Sequence, residues 1–208
     1  MPPPLERLYL ITDRRQVQGE DIAGAVRSAL EGGARLIQLR EKDLPTSQLF
    51  HLACELNPLI HDYGGRLIIN GSVEVALASG AAGVQLGAAT LPVKVVREQL
   101  GFRGFIGYSA HRLPEALKAQ EDGADFITFS PIYPTKYPEY GPPQGIRALS
   151  GLCKRVMVPV FALGGITAER VEEVMRAGAY GVALISHIFA STDIAARTRE
   201  VLEALRAA

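Results

Sequence analysis

Four times along the chain an amphipathic stretch ends in glycine and a short apolar run follows. Glu31-Gly32-Gly33-Ala34-Arg35-Leu36-Ile37 is echoed by Ser79-Gly80-Ala81-Ala82-Gly83-Val84, by Asp122-Gly123-Ala124-Asp125-Phe126-Ile127 and by Ala177-Gly178-Ala179-Tyr180-Gly181-Val182. Glycine just past a helix adopts the left-handed conformation without a Cβ penalty. The apolar run after it reads as a strand buried on both faces, as parallel sheets require. On this basis the pattern predicts strands at about 7–12, 35–40, 66–70, 82–86, 104–109, 125–130, 159–163 and 180–185. Helical periodicity covers about 20–31, 46–60, 72–79, 92–100, 113–122, 144–153, 167–177 and 191–206. Thr46 and Thr167 stand where N-caps are expected, and Pro92 and Pro114 fall near first turns.

Eight βα units with short connections favour a single α/β domain, a (β/α)8 TIM barrel over residues 1–208. The rival is an open doubly wound sheet. Its Gly-x-Gly-x-x-Gly after the first strand is absent, because Thr12-Asp13-Arg14 stands there. The longest loop, 131–143, is rich in Pro, Tyr and Gly and is a candidate lid.

Composition narrows the function. Lys+Arg and Asp+Glu both number 22, so the chain lacks the basic surplus by which proteins displace counterions from nucleic acid. The same balance argues against a membrane-surface role, and no apolar run has the length of about 20 residues that spans a bilayer. Met1-Pro2-Pro3-Pro4 does not read as a secretory signal, so a cytoplasmic protein is expected. The two cysteines, Cys54 and Cys153, lack CxxC spacing and are expected to be buried thiols in a reducing compartment. A homodimer stays open, with no apolar face to assign to it.

In a barrel of this kind, chemistry belongs to the loops that leave the C-terminal ends of the strands. Strand by strand, those positions carry Thr12 and Asp13; Arg40, Glu41 and Lys42; Asn70 and Gly71; Gln85 and Thr90; Ser109 and His111; Ser130, Thr135 and Lys136; Gly164-Gly165; and Ser186 and His187. Two glycines before a helix let backbone N–H groups approach an anion, and the helix dipole favours it there. Gly164-Gly165-Ile166-Thr167 followed by Ser186 therefore reads as a phosphate site, although the same glycines would also serve a plain tight turn. Arg40 and Lys42 alternate at a strand end and suit a carboxylate or a second phosphate, or else rim ion pairs with Glu41, Asp43 or Asp13. His111 is the best acid/base candidate of the four histidines; His51 and His61 read as surface residues and His187 as packing under the last loop. No His/Asp/Glu cluster has the spacing of a metal site.

Gln38-Leu39-Arg40-Glu41-Lys42-Asp43, Ile68-Ile69-Asn70, Ser109-Ala110-His111, Ser130-Pro131-Ile132-Tyr133-Pro134-Thr135 and Ala162-Leu163-Gly164-Gly165-Ile166 together resemble the thiamine phosphate synthase family, in order from about residue 7 to 190. The resemblance implies a TIM barrel and a thiazole phosphate ligand. It implies phosphate contacts at Gly164, Gly165, Ile185 and Ser186, and substrate contacts at Arg40, Lys42, Asn70, Gln85, Ser109, Ser130, Thr135 and Lys136.

Two departures from the family pattern stand out. The synthases hold Mg²⁺ with two aspartates, at positions that here are Gly71 and Thr90, and their Thr-x-Thr-Lys pattern is shortened to Thr135-Lys136. Mg²⁺ needs oxygen ligands, usually with one or two carboxylates among them. Val84-Gln85-Leu86 resembles instead the thiazole tautomerase (TenI-like) branch, which needs no metal. The expectation is therefore a metal-independent isomerase without cofactor, aromatising a carboxythiazole phosphate with His111 as proton carrier. The alternatives are a Mg-dependent thiamine phosphate synthase joining hydroxymethylpyrimidine diphosphate to thiazole phosphate, and a non-catalytic thiazole phosphate binder.

Overall fold

The computed structural model describes residues 5–17, 22–135 and 141–208. Eight parallel strands close on themselves in chain order: β1 (Leu8–Ile11), β2 (Leu36–Leu39), β3 (Arg66–Asn70), β4 (Gly83–Leu86), β5 (Phe105–Ala110), β6 (Phe126–Phe129), β7 (Val160–Leu163) and β8 (Gly181–Leu184). β8 returns to β1 through Leu8↔Val182 and Leu10↔Leu184, which leaves no sheet edge and rules out the open alternative. Around the barrel lie α1 (Ile22–Glu31), α2 (Thr46–Asp62), α3 (Val73–Ser79), α4 (Leu113–Glu121), α5 (Gly145–Cys153), α6 (Val171–Arg176), α7 (Ser186–Phe189) and α8 (Ile194–Ala207).

The repeated glycine phrases behave as their pattern requires. Gly33, Gly80, Gly123 and Gly178 all have positive φ, between 66° and 106°, at the ends of α1, α3, α4 and α6. Some helix details differ from expectation. The 92–100 stretch forms a short π-helical turn at Val95–Gln99 rather than a regular helix. The 167–177 stretch divides into a 3-10 turn, Ala168–Arg170, and α6. Thr46 is the first residue of α2, whose N-cap is Pro45, so it does not cap. The hydroxyl of Thr167 caps no backbone N–H either. Side-chain caps come instead from Ser72, accepting from Val75 N at 3.2 Å, and Asp193, accepting from Ala196 N at 2.8 Å.

The cysteine expectation is corrected. Leu49, Ala53, Leu56 and Ile60 form the buried stripe of α2, and Cys54 sits one residue off it, exposed. Cys153 is half-buried, and that burial pushes its thiol up to about 11. Among the described residues, no helix is long and apolar enough to cross a membrane.

Two apolar shells hold the barrel. Outward-facing residues such as Leu10, Leu39, Ile69, Val84 and Val182 pack under the helices. Inward-facing Tyr9, Leu36, Ile68, Phe126 and Phe161 fill the centre. There the rings of Tyr9, Phe126 and Phe161 meet pairwise with centroids 5.5–5.6 Å apart, edge-on or tilted. Large rings need small neighbours. A Cβ on Gly107 would fall 2.3 Å from the Phe126 ring, and one on Gly181 would fall 2.1 Å from the Arg7 carbonyl oxygen at the β8–β1 seam. The Gly181 contact is with backbone, which cannot rotate away. Gly181→Ala should therefore cost at least about 1–3 kcal/mol of stability, the usual cost of overpacking. Denaturant titration checks this, and a midpoint unchanged from the parent would contradict it.

Candidate active site

Because all eight strands run the same way, their C-terminal ends form one rim, and the described candidate residues other than Gln85 stand along it. Thr12 follows β1 and is fully buried; its Oγ1 accepts the backbone N–H of Arg40 at 2.9 Å and so ties the end of β2 to β1. Arg40 leaves β2 half-buried and Lys42 is exposed. The acids named as their ion-pair partners answer to other cations, which sequence reading did not single out. Arg14 forks onto Asp43 at 2.8 and 2.9 Å. Its backbone N–H also donates to both oxygens of the buried Glu41 carboxylate, at 3.1 and 3.2 Å. Arg15 pairs with Asp13 at 3.1 Å. A hydrogen bond from its own backbone N–H, then the Arg14 guanidinium and the nearby charge of Arg15, hold the Asp43 carboxyl below its ordinary range.

Asn70 ends β3 half-buried, and Gly71 follows with φ of 77°. A Cβ on Gly71 would lie 3.7 Å from Thr90 Cγ2, so the two positions at which the family resemblance expects aspartates do converge. Neither supplies a carboxylate. Thr90 Oγ1 is turned back on its own loop, donating to Gly87 O at 2.8 Å and accepting from Gly87 N at 3.0 Å. With Asp13, Glu41 and Asp43 engaged by arginines, the donor set does not fit Mg²⁺. Among the described residues no group of three or more His, Cys, Asp or Glu is arranged to hold a metal.

Gln85 is only 2% exposed, and its amide is spent inside the barrel rather than at the rim. Ser109 is half-exposed at the end of β5. His111, just beyond it, is exposed, and its ring Nδ1 lies 2.8 Å from the Ser130 carbonyl oxygen. A carbonyl can only accept, so Nδ1 carries the proton and Nε2 of the neutral ring is left as an acceptor. Ser130 itself is buried, at 8% exposure. Thr135 is half-buried, whereas Lys136 lies outside the described residues, as does the 136–140 part of the candidate lid.

The glycine pair after β7 has a reason that sequence reading did not foresee. Gly164 has φ of 103° and Gly165 of 63°. A Cβ on Gly164 would meet Pro131 at 2.7 Å, and one on Gly165 would meet Pro134 O at 2.7 Å and Tyr133 Cβ at 2.8 Å. The β6 loop thus runs directly against this turn, continuing the ladder as Ile132 N donates to Leu163 O and Tyr133 N to Gly164 O. Arg170 clamps the seam: its guanidinium lies 4.4 Å over the Tyr133 ring and donates to the Gly165 carbonyl. The Tyr133 hydroxyl donates to Glu173 at 2.6 Å, and burial together with that carboxylate pushes the phenol up to about 12. Ile185 precedes α7, and Ser186 opens it exposed to solvent. His187 accepts the Ala168 N–H on Nε2 at 3.2 Å; burial, then Arg197, lowers its pKa and keeps it neutral. It packs beneath the last loop, as expected.

Residues 8–188 match the family described as thiamine monophosphate synthase. The chain belongs to that family. A protein of Geobacter sulfurreducens whose thiamine-phosphate synthase name is provisional is 49% identical over 199 residues, covering 95% of this chain and 93% of its own length. The thiamine-phosphate synthase of Chloroflexus aurantiacus is 39% identical, over 94% of this chain and 90% of its own. Among solved structures, thiamine phosphate pyrophosphorylase from Pyrococcus furiosus superposes with a TM-score of 0.89 at 35% identity, covering 97% and 96% of the two chains.

These relatives overturn the expectation of a tautomerase, because the names they carry are those of synthases. The absence of carboxylates at positions 71 and 90 does not by itself exclude the transfer. Arginine, lysine and backbone N–H groups can also meet the charge of a leaving diphosphate.

The seam between the β6 and β7 loops makes its own prediction. Gly165→Ala adds a strained φ and a collision with Pro134 O, so it should destabilise the protein by about 1–3 kcal/mol. It should also push the β6 loop outward. Limited proteolysis should then cleave faster within 131–143 than in the parent, and an unchanged cleavage pattern would contradict the packing described.

Proposed function

We propose that the chain is a transferase of the thiamine-phosphate synthase type, joining hydroxymethylpyrimidine diphosphate to thiazole phosphate and releasing pyrophosphate. The observation that carries this reading is the similarity, at 49% and 39% identity over nearly the full length, to relatives named for that reaction. The barrel supports it by gathering two kinds of anion-binding group on one rim. Gly164, Gly165, Ile185 and Ser186, from the loops after β7 and β8, take the thiazole phosphate through backbone N–H groups and a hydroxyl. Arg40 and Lys42, with Thr135 of the β6 loop, take the diphosphate. Asn70, Ser109 and Ser130 border the space between, where the two rings meet.

In the transfer, the bond from the pyrimidine's methylene carbon to the diphosphate oxygen breaks, and its electron pair leaves on oxygen. The thiazole nitrogen supplies the pair for the new carbon–nitrogen bond. No net proton transfer is required, so His111 orients the substrate through Nε2 rather than carrying a proton. The barrel contributes proximity: two reactants held in one orientation on one rim react as if at very high local concentration. Because no carboxylate stands at position 71 or 90, the charge developing on the diphosphate is met by Arg40, Lys42 and N–H groups.

The test is an assay of pyrophosphate release with both substrates, each alone, and neither. Release that requires both is the expected outcome. Absence of release under all four conditions, with the protein folded, would refute the reading.

A further inference from the structure

The layer of the barrel beneath the rim is polar, and the transfer does not by itself call for that. Gln38 on β2 donates from Nε2 to the Tyr9 hydroxyl at 2.7 Å, and that hydroxyl donates to Gln85 Oε1 at 3.2 Å. The amide nitrogen of Gln85 then donates to Ser109 Oγ at 3.0 Å and to Thr128 Oγ1 at 3.2 Å. Thr128 Oγ1 in turn donates to Ser109 Oγ at 3.3 Å. Five strands contribute, and Tyr9, Gln38, Gln85 and Thr128 are each at most 2% exposed. Burial of the Tyr9 phenol pushes its pKa up, so it stays protonated and able to donate.

The proton count in this chain has a consequence at its upper end. A phenol that accepts from Gln38 has one proton to give, and it goes to Gln85 Oε1. The Gln85 amide is thereby oriented with its NH2 group toward the two hydroxyls. A serine hydroxyl has two acceptor positions and one proton. Both acceptor positions of Ser109 are filled from below, by Gln85 and Thr128. Its proton must therefore point away from the network, toward the rim where Ser109 is half-exposed. Without the network the same hydroxyl would rotate and donate inward. Gly107 keeps the room this needs, since a Cβ there would fall 2.3 Å from Gln85 Oε1. A buried chain of this kind sets geometry at some expense in stability, because every member must be desolvated.

We propose that Tyr9 and Gln85 are positioning residues that hold Ser109 as an obligate hydrogen-bond donor toward an unprotonated acceptor atom of the rim ligand. The proposal rests on the transferase reading for the identity of that ligand. It assigns specificity to residues that never touch the substrate.

The test is a double-mutant cycle on the full chain with Ser109→Ala, Gln85→Met and the pair, reading kcat and KM for pyrophosphate release and the calorimetric affinity for thiazole phosphate. Each single variant should lose about 10–100-fold in kcat/KM, the effect of one hydrogen bond to a charged group. In the Ser109→Ala background, Gln85→Met should add less than about two-fold, because its effect runs through Ser109. Tyr9→Phe, nearly isosteric, should show the same dependence on Ser109 and serves if Gln85→Met fails to fold. Losses that multiply in the pair, or a Gln85→Met or Tyr9→Phe protein with parental kinetics, would overturn the proposal. A parent that releases no pyrophosphate but binds thiazole phosphate refutes the transferase reading alone, and the cycle is then read in binding. A parent that does neither overturns both.

Discussion

The closure of the β8–β1 seam is the constraint on which everything else depends. Leu8↔Val182 and Leu10↔Leu184 pair only because Gly181 lets the β8 backbone lie against Arg7. Once the seam is closed, all eight strand ends share one rim, and residues as distant in sequence as Arg40 and Ser186 stand on it together. Closure also creates an interior that must be filled. Below, three aromatic rings fill it, that of Phe126 against Gly107; above them, amides and hydroxyls do. The lower layer supplies packing, and the upper one supplies orientation.

Much of the fold was legible because its signals are local. A helix ending at glycine and a buried strand after it are read within a dozen residues, and Gly33, Gly80, Gly123 and Gly178 all adopt the conformation that reading required. The features that sequence reading missed depend on distant partners or on the exact phase of a helix. Cys54 is exposed because it lies one position off the stripe of α2, and the four-residue α7 is too short to show a period. Thr46 looked like a cap, but Pro45 occupies that position.

The site was legible as a set of polar residues at strand ends, and not as a set of partnerships. Arg14 and Arg15 drew no attention as single residues, yet they neutralise the acids of the β1–β2 corner. Gly164 and Gly165 looked like an anion-binding turn, but the β6 loop also lies where their side chains would be. Gln85 looked like a substrate contact and turned out to face inward, toward Tyr9. The overturned isomerase assignment has a related origin: it rests on two absent carboxylates, whereas 95% of the chain aligns with a relative that carries a synthase name.

In the proposed function, one side of the rim offers N–H groups and hydroxyls to a monophosphate, and the other offers Arg40 and Lys42 to the diphosphate, with no carboxylate at positions 71 and 90. The most direct test is a crystal structure with thiamine phosphate bound. The account predicts the phosphate within hydrogen-bond distance of the Gly165 and Ser186 backbone N–H groups, with the pyrimidine ring toward Asn70 and Ser109. A phosphate bound elsewhere, or a ligand outside the rim formed by the C-terminal strand ends, would contradict it.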